Sequence, residues 1–371
     1  MNEDAILKSS EILNISMNGK DVGRMVLSPN GLCVFEYAPD YIASGFSISP
    51  FYLPLRSGIF TAHRDPFNGL FGVFNDSLPD GWGNMLIDRY LVSRDIAPGK
   101  LSVIDRLSIV GTSGMGALEY SPDNSIRASQ HMDDINILAA EIKSILNEEE
   151  FTGSLKNLVE KGGSSGGARP KVLIVVDGKP WIVKFRSSYD PPDIGLLEYE
   201  YSLVAKKCGI RMPETRLFED KYFGVLRFDR VGDKHIHMHS ASGLLYASHR
   251  YPSIDYIDLI KATLAITKNM QQANEMFRQM VFNILAGNKD DHAKNFAFLY
   301  DQNSWRVSPA YDLVPSEGFN GNHSTTIAGK GNPVMDDILK VIQQCGLVKK
   351  TALSIFDEVY SNCREIRLKS W

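Results

Sequence analysis

The chain has 371 residues, of which 43% are hydrophobic and 23% charged, a composition typical of a globular protein with room for two or three packed units. The formal net charge of -4 argues against broad attachment to nucleic acid, which requires a Lys/Arg excess on one face. The four cysteines form no CxxC pair, so neither a disulfide framework nor a thiolate zinc site is indicated. With no apolar leader and no apolar run near the ~20 residues of a membrane span, we expect a cytoplasmic location and no membrane partner.

The first part of the chain, residues 1–122, is predicted to be a β-rich subdomain with short helices. Strands are expected over residues 13–17 and 22–27, because Asn18-Gly19 between them is typical of a tight hairpin turn. Apolar residues at helical spacing follow the turn Ser77-Leu78-Pro79-Asp80-Gly81-Trp82-Gly83.

A polar connector is predicted over residues 123–150, with a helix at 133–146. The next stretch, residues 151–252, reads as loop, strand, turn, strand, helix and two further strands. These elements are expected at 171–176, 181–185, 196–208, 215–218 and 222–228.

Residues 253–371 are predicted to be mainly helical. An apolar stripe from Ala273 to Leu285 indicates a long buried helix that ends at Gly287. A hairpin of strands at 296–300 and 305–308 should follow.

The sharpest motif begins where that buried helix ends, and it places Asp290 and Asn295 five positions apart. In phosphoryl transfer an aspartate accepts the proton of the substrate hydroxyl while an amide oxygen a turn later holds magnesium, and kinase catalytic loops use this D-x4-N spacing. The same residues can also simply cap and turn a polar loop. The spacing alone is therefore a weak signal.

A second acidic position follows the hairpin, in Pro309-Ala310-Tyr311-Asp312-Leu313. In kinases such a hairpin carries the second metal-binding aspartate back beside the catalytic loop, which makes Asp312 a predicted magnesium ligand together with Asn295. The alternative role for Asp312, a helix N-cap, is disfavoured because Pro315 follows three residues later.

A Gly/Ser-rich loop at residues 161–171 precedes a predicted strand, and Lys184 lies on the partner strand. Backbone N–H groups and an ammonium together can neutralise a polyphosphate. The loop lacks the GK[ST] of a Walker A motif, and a Gly-rich loop alone is more often a linker. In combination with the D-x4-N motif it indicates a nucleotide site.

These residues together resemble the HipA kinases of bacterial toxin–antitoxin systems over nearly the whole chain. One departure is Leu226, where the family usually has an acidic residue. The motifs that carry the likeness, in the same order, are the Ser77 to Trp82 turn, Gly116-Ala117-Leu118, Gly167-Ala168-Arg169-Pro170-Lys171, Arg227-Phe228-Asp229-Arg230, Asp290 to Asn295, and Tyr311-Asp312.

The resemblance implies an α+β fold: a protein-kinase-like two-lobed core, with a β-rich N-lobe at 151–252 and an all-α C-lobe at 253–371, plus the N-terminal β-rich subdomain. It implies a serine/threonine protein kinase that uses ATP and Mg²⁺, with Asp290 as the base and Asn295 and Asp312 as metal ligands. The residues implied to bind the nucleotide are Ser164, Ser165, Gly166, Gly167, Ala168, Lys171, Lys184, Arg227, Phe228, His292, Lys294, Asn295 and Asp312.

The resemblance also implies regulation and partners. Self-phosphorylation is expected on Ser164, with Ser165 as the adjacent alternative, and the added charge would eject the Gly/Ser-rich loop. The implied partners are a small HipB-like DNA-binding antitoxin, DNA reached only through it, and a protein substrate, for which an aminoacyl-tRNA synthetase is the candidate. Two alternatives stay open: a small-molecule phosphotransferase, and a catalytically idle co-repressor that works with a DNA-binding antitoxin.

Two further segments give weaker signals. His235, His237 and His239 alternate along one predicted strand, and with no acid or cysteine at ligand spacing they are expected to form a solvated face rather than a metal site. Residues 316–330, rich in Gly and Asn, are expected to be either a mobile loop at the position of a kinase activation segment or a plain disordered connector.

Overall fold

The structure is a computed structural model that describes residues 11–128, 134–147, 153–164 and 166–367. The chain has a mixed α/β fold and divides into two compact units. Unit 1 comprises Met1–Gly195 and Leu217–His237, and unit 2 comprises Leu196–Arg216 and Met238–Trp371.

Unit 1 begins with a five-stranded antiparallel sheet in the order β4-β3-β2-β1-β5. The predicted turn is confirmed, because Asn18 and Gly19 both have positive φ and join paired strands. A side chain at Gly23 would lie 2.2 Å from the carbonyl oxygen of Glu36, so only glycine fits at this position of the sheet. The strands are β1 (Ile12–Met17), β2 (Lys20–Leu27), β3 (Cys33–Tyr37), β4 (Ile59–Thr61) and β5 (Leu118–Ser121).

Several helices cover the rest of unit 1. Sequence reasoning missed the helix after residue 153, which begins at Ser154, whose Oγ accepts a hydrogen bond from the Asn157 N–H at 3.2 Å. The helices are α1 (Pro39–Ser44), α2 (Gly72–Asn75), α3 (Gly81–Val92), α4 (Val103–Val110), α5 (Ile135–Leu146) and α6 (Leu155–Gly162), with a 3-10 turn at Pro98–Lys100.

A second antiparallel sheet has the order β6-β7-β9-β8, and its strands lie close to the predicted positions. It comprises β6 (Lys171–Val176), β7 (Lys179–Lys184), β8 (Thr215–Phe218) and β9 (Tyr222–Leu226). One hydrophobic core joins this sheet to α3, α5 and α6 through Trp82, Leu138, Leu158, Val172 and Trp181. A short hairpin, β10 (Arg230–Val231) and β11 (Lys234–His235), follows.

Unit 2 is mainly helical and packs around the long helix that the sequence predicted. That helix ends at Gly287, which has φ of +70° and donates its N–H to the Asn283 carbonyl. The helices of this unit are α7 (Ile194–Lys207), which starts at the unit boundary, α8 (Ala241–Leu245), α9 (Tyr256–Thr267), α10 (Met270–Ala286), α11 (Met335–Gln344), α12 (Lys349–Asn362) and α13 (Arg364–Arg367).

The predicted hairpin in unit 2 is confirmed as β13 (Ala297–Asp301) paired with β14 (Ser304–Val307). A further strand, β12 (His237–Ser240), extends this sheet in the order β12-β13-β14. A 3-10 turn at Ala293–Asn295 leads from α10 into the hairpin. The D-x4-N motif therefore lies in the connection between a buried helix and a buried strand.

The prediction that His235, His237 and His239 form a solvated strand face is wrong for two of the three histidines. His237 is 2% exposed and His239 is fully buried, because the alternation turns them into the interior. His237 donates from Nε2 to the Ile48 carbonyl oxygen at 2.9 Å. His235 remains partly exposed beside Glu119, with 3.6 Å between its Nδ1 and the carboxylate.

The remaining sequence predictions concern cysteines and membrane spans. All four cysteines are free and buried. Within the described ranges, no helix combines the length and the apolar character that crossing a membrane requires.

Candidate active site

The D-x4-N loop, residues 290–295, closes on itself. The Asn295 Nδ2 donates to the backbone carbonyl of Asp290 at 2.8 Å, which leaves the Asn295 Oδ1 as the amide atom that can ligate a cation. Asp290 is exposed on the surface of unit 2, where its carboxylate can meet a substrate hydroxyl. The predicted base and one predicted metal ligand therefore lie in one short turn.

Asp312 lies on the segment after β14 and has φ of +58°. A non-glycine residue in this region is uncommon, and such residues cluster at functional sites. The Tyr311 hydroxyl donates to the Lys294 carbonyl at 2.6 Å, which attaches the segment carrying Asp312 to the D-x4-N loop. No helix begins at Asp312, which excludes the N-cap alternative. The structure therefore brings together the segments of all three predicted catalytic residues.

The oxygen donors of Asn295 and Asp312 suit magnesium. Among the residues described, no group of three His, Cys, Asp or Glu side chains could hold a metal by itself. Magnesium is usually bound by one or two carboxylates, with waters and substrate phosphates completing its shell. One carboxylate and one amide oxygen fit that pattern, provided that a nucleotide supplies further oxygens.

Two other predicted nucleotide contacts lie within the D-x4-N loop. The His292 ring contacts the His249 ring edge to face, with 6.0 Å between centroids. Lys294 is half-buried, and its carbonyl oxygen accepts the Tyr311 hydroxyl. Contact between their side chains and a nucleotide stays a prediction.

The Gly/Ser-rich loop, in unit 1, is supported by the start of α3. Asp80 Oδ2 accepts the Gly167 N–H at 2.8 Å, and the Trp82 Nε1 donates to the Lys171 carbonyl at 2.9 Å. A side chain at Gly83 would lie 2.7 Å from the Gly163 carbonyl oxygen, so the two segments are in close contact. Glycine at 167 is required by its φ of +88°. The predicted N-terminal subdomain therefore supplies part of the loop's framework.

Lys171 and Lys184 form a cationic pair beside this loop. They are directly opposite in the β6–β7 pairing, so their side chains leave the same face of the sheet. Like charges in that position destabilise a sheet unless an anion or another acceptor compensates. Lys171 Nζ also donates to the Gly166 carbonyl, and Lys184 Nζ lies 5.6 Å from the centroid of the Phe223 ring. Two ammoniums beside a Gly-rich turn suit a polyphosphate.

Arg227 has a structural role. Its guanidinium donates to the fully buried Asp229 carboxylate at 2.8 and 2.9 Å, and its N–H donates to the Pro180 carbonyl at 2.9 Å. Arg230 and the Gly116 N–H each donate to Asp229 Oδ2 at 2.8 Å. Burial by itself would raise the pKa of Asp229, but the two guanidiniums outweigh it and hold the pKa below its usual value. A nucleotide contact at Arg227 would therefore use its carbonyl oxygen.

The serines predicted to be phosphorylated lie at the start of the Gly/Ser-rich loop. Ser164 is 7% exposed, and its Oγ has no hydrogen-bond partner among the described residues. Ser165 lies outside those residues. Of the other predicted nucleotide contacts, Gly166 and Ala168 lie within the same turn, and Phe228 is half-buried next to Arg227.

Sequence reasoning missed Asp291, which neighbours the predicted base and is fully buried. Its hydrogen-bond partners are residues 323–325 and Tyr256, which are all distant in the sequence. The only feature near Asp291 that could have indicated its role was its position as a second acid beside Asp290. Residues 316–330 are not a plain disordered connector, because Thr325 and Ile327 are fully buried.

Comparison with known protein families gives two matches. The HipA N-terminal domain family matches residues 13–121, and the HipA-like C-terminal domain family matches residues 163–366.

Two relatives carry similar names. A Sinorhizobium fredii (strain NBRC 101917 / NGR234) protein named "Putative kinase Y4dM" is 24% identical over 333 residues, which cover 82% of this chain and 76% of that protein. A Haemophilus influenzae (strain ATCC 51907 / DSM 11121 / KW20 / Rd) protein named "Putative kinase" is 26% identical over 195 residues, which cover 45% of this chain and 57% of that protein.

A similar solved structure is the complex of Shewanella oneidensis MR-1 HipA, HipB and operator DNA. The match has a TM-score of 0.71 and 18% identity, and it covers 96% of this chain and 90% of that chain. At this identity the likeness concerns the fold, and it confirms the predicted α+β, kinase-like two-lobed class.

Proposed function

Because the chain belongs to the HipA family, we propose that it is a kinase that uses ATP and Mg²⁺ to phosphorylate serine or threonine in a protein. The observation that carries the proposal is the hydrogen bond from Tyr311 to Lys294, which attaches the Asp312 segment to the loop of Asp290 and Asn295. The names of the Sinorhizobium and Haemophilus relatives support the same class of reaction.

In the proposed reaction Asp290 accepts the proton of the substrate hydroxyl, whose oxygen forms a bond to the γ-phosphorus of ATP as the bond to the ADP oxygen breaks. Lys171, Lys184 and the amides of the Gly/Ser-rich loop bind the phosphates. Magnesium, when held by Asn295 and Asp312, supplies charge neutralisation on the phosphate oxygens. Such catalysis depends chiefly on positioning and electrostatics. The attachment of these residues to buried elements should therefore contribute to the rate of transfer.

Self-phosphorylation on Ser164 or Ser165 is part of the proposal. The Ser164 hydroxyl is buried without a described partner, and a phosphate there would add about 1.5–2 negative charges. A buried, unpaired charge of that size is strongly unfavourable, so the segment would leave its position and the nucleotide site would be lost.

We expect the wild-type chain, incubated with Mg-ATP, to gain phosphate on the peptide that contains Ser164 and to lose affinity for ATP. The double variant Ser164→Ala, Ser165→Ala should gain none there and should keep its affinity, because it lacks both hydroxyls. Peptide mass spectrometry and equilibrium ATP binding measure the two effects. Phosphate on that loop in the double variant would refute the assignment.

By its likeness to the Shewanella complex, we infer that the chain pairs with a HipB-like antitoxin and reaches DNA only through it. The net charge of -4 supports an indirect rather than a direct contact with DNA. The pair would form a toxin–antitoxin system. An aminoacyl-tRNA synthetase remains the candidate protein substrate from the family resemblance.

The proposed function is tested with ATP labelled at the γ-phosphate, offered with Mg²⁺ to the purified chain and a mixture of acceptors. We expect label in protein serine or threonine. Label confined to sugars or aminoglycosides would favour a small-molecule phosphotransferase. Absence of both transfer and ATP hydrolysis would instead favour an idle co-repressor.

A further inference from the structure

The fully buried carboxylate of Asp291, next to the proposed base, accepts four hydrogen bonds. Its Oδ2 accepts from the Tyr256 hydroxyl at 2.8 Å and from His323 Nδ1 at 2.9 Å. Its Oδ1 accepts from the backbone N–H groups of Ser324 at 2.9 Å and Thr325 at 3.2 Å. A buried carboxylate with this many donors is held in one orientation.

Residues 321–325, which we call the docking segment, also contact the main chain on both sides of Asp290. The Thr325 Oγ1 donates to the Asp291 carbonyl at 2.5 Å. On the other side, the Ser324 N–H donates to the Lys289 carbonyl at 3.0 Å, and Lys289 Nζ donates to the Gly321 carbonyl at 2.8 Å. The backbone that carries the base is therefore fastened immediately before and after it.

A second set of hydrogen bonds connects Asp291 to neighbouring helices. Asn283, on α10, donates to the Tyr256 hydroxyl at 2.9 Å, and Asn288 donates to Asn283 Oδ1 at 3.0 Å. Burial raises the pKa of Tyr256 well above its ordinary value, so its hydroxyl stays protonated and donates to Asp291. Asp291 thus connects the docking segment to α9 and α10.

We propose that Asp291 is a positioning residue: by holding the docking segment against the D-x4-N loop, it fixes the place from which Asp290 accepts the substrate proton. The inference rests on the proposed function and deepens it, because it assigns the docking segment a role in positioning the proposed base. Misplacement of a catalytic group by about 1 Å costs on the order of 100-fold in rate. Loosening this loop should therefore lower kcat more than it weakens nucleotide binding, because the loop provides only part of the predicted nucleotide contacts.

Asp255 offers a matched control. It accepts the Thr326 hydroxyl and the Gly329 N–H, each at 2.7 Å, and the Ala328 N–H at 3.3 Å. It therefore holds the stretch that directly follows the docking segment, while its described hydrogen bonds do not include the D-x4-N loop. A merely structural role for Asp291 predicts the same consequences for both carboxylates.

The test compares Asp291→Asn and Asp255→Asn in the full chain, by phosphoryl-transfer kinetics and by hydrogen exchange of residues 288–295. We expect Asp291→Asn to lower kcat about 10–100-fold with a smaller change in KM for ATP, and to speed exchange over 288–295. Asp255→Asn should keep kcat and speed exchange only near 326–329. Equal loss of kcat in both variants, or wild-type kcat in Asp291→Asn, would overturn the inference.

Two further measurements cover the cases in which the variant does not fold or the wild type transfers no phosphate. Should Asp291→Asn fail to fold, Thr325→Val removes the bond to the Asp291 carbonyl at nearly constant shape, and it should change kcat and exchange in the same direction. Should the wild type transfer no phosphate, the proposed function fails, and the exchange rates over 288–295 alone decide whether Asp291 fixes the loop.

Discussion

Replacing Asp290 with alanine is expected to lower phosphoryl transfer by about 10²–10⁴-fold, the usual contribution of a positioned general base. The Asn295 side chain binds the backbone carbonyl of Asp290, which the substitution retains, so the loop should keep its shape. The thermal midpoint should accordingly stay near that of the wild type. Initial rates at saturating ATP and substrate measure the effect.

Glu317→Ala provides the control for this experiment, since it removes another exposed carboxylate from unit 2. It should transfer phosphate at the wild-type rate. A rate near the wild type in Asp290→Ala would show that the base lies elsewhere. Equal losses in both variants would indicate a general charge effect.

Replacing Asp229 with asparagine is expected to lower the free energy of unfolding by about 3–5 kcal/mol, because it leaves two buried guanidiniums without their counter-charge. Asp229 is fully buried and accepts from Arg227, from Arg230 and from the Gly116 N–H. Such a loss is a large share of the stability of a typical domain. Urea unfolding measures it.

The effect of Asp229 should depend on pH. Its pKa is held below the ordinary value in the folded state, so its contribution is complete above the unfolded pKa, about 3.9 for aspartate, and is lost as pH falls through the folded pKa. The stability gap between the wild type and Asp229→Asn should thus be constant near neutral pH and shrink below about pH 4.

Asp233→Asn, an exposed site in the turn of the β10–β11 hairpin, is the matched control and should unfold like the wild type. An Asp229→Asn protein with the same urea midpoint would contradict the role assigned to the buried cluster.

The sequence predicted the elements that depend on local chemistry. The turn at Asn18-Gly19 needs left-handed backbone, and its residue types predicted a hairpin that the structure contains. The apolar stripe of α10 and its glycine terminus were visible for the same reason. Because these elements were predicted correctly, the D-x4-N loop was also placed correctly, between a buried helix and a buried strand.

Residues whose role depends on distant partners were not predictable. Asp291 binds His323, which is 32 positions away, and Asp229 binds the Gly116 N–H, which is 113 positions away. Periodicity reports which face a residue occupies but not what lies opposite it. The same limit explains the histidines: they were expected on one solvated strand face, whereas His237 and His239 lie on β12, separate from His235 on β11, and are buried.

The central claim is tested most directly by the intact mass of the phosphatase-treated chain after incubation with Mg-ATP. We expect the wild type to gain phosphoryl groups and Asp290→Ala to gain none. A wild type that stays unmodified and transfers no label to any protein, or an Asp290→Ala chain modified at the wild-type rate, would contradict it.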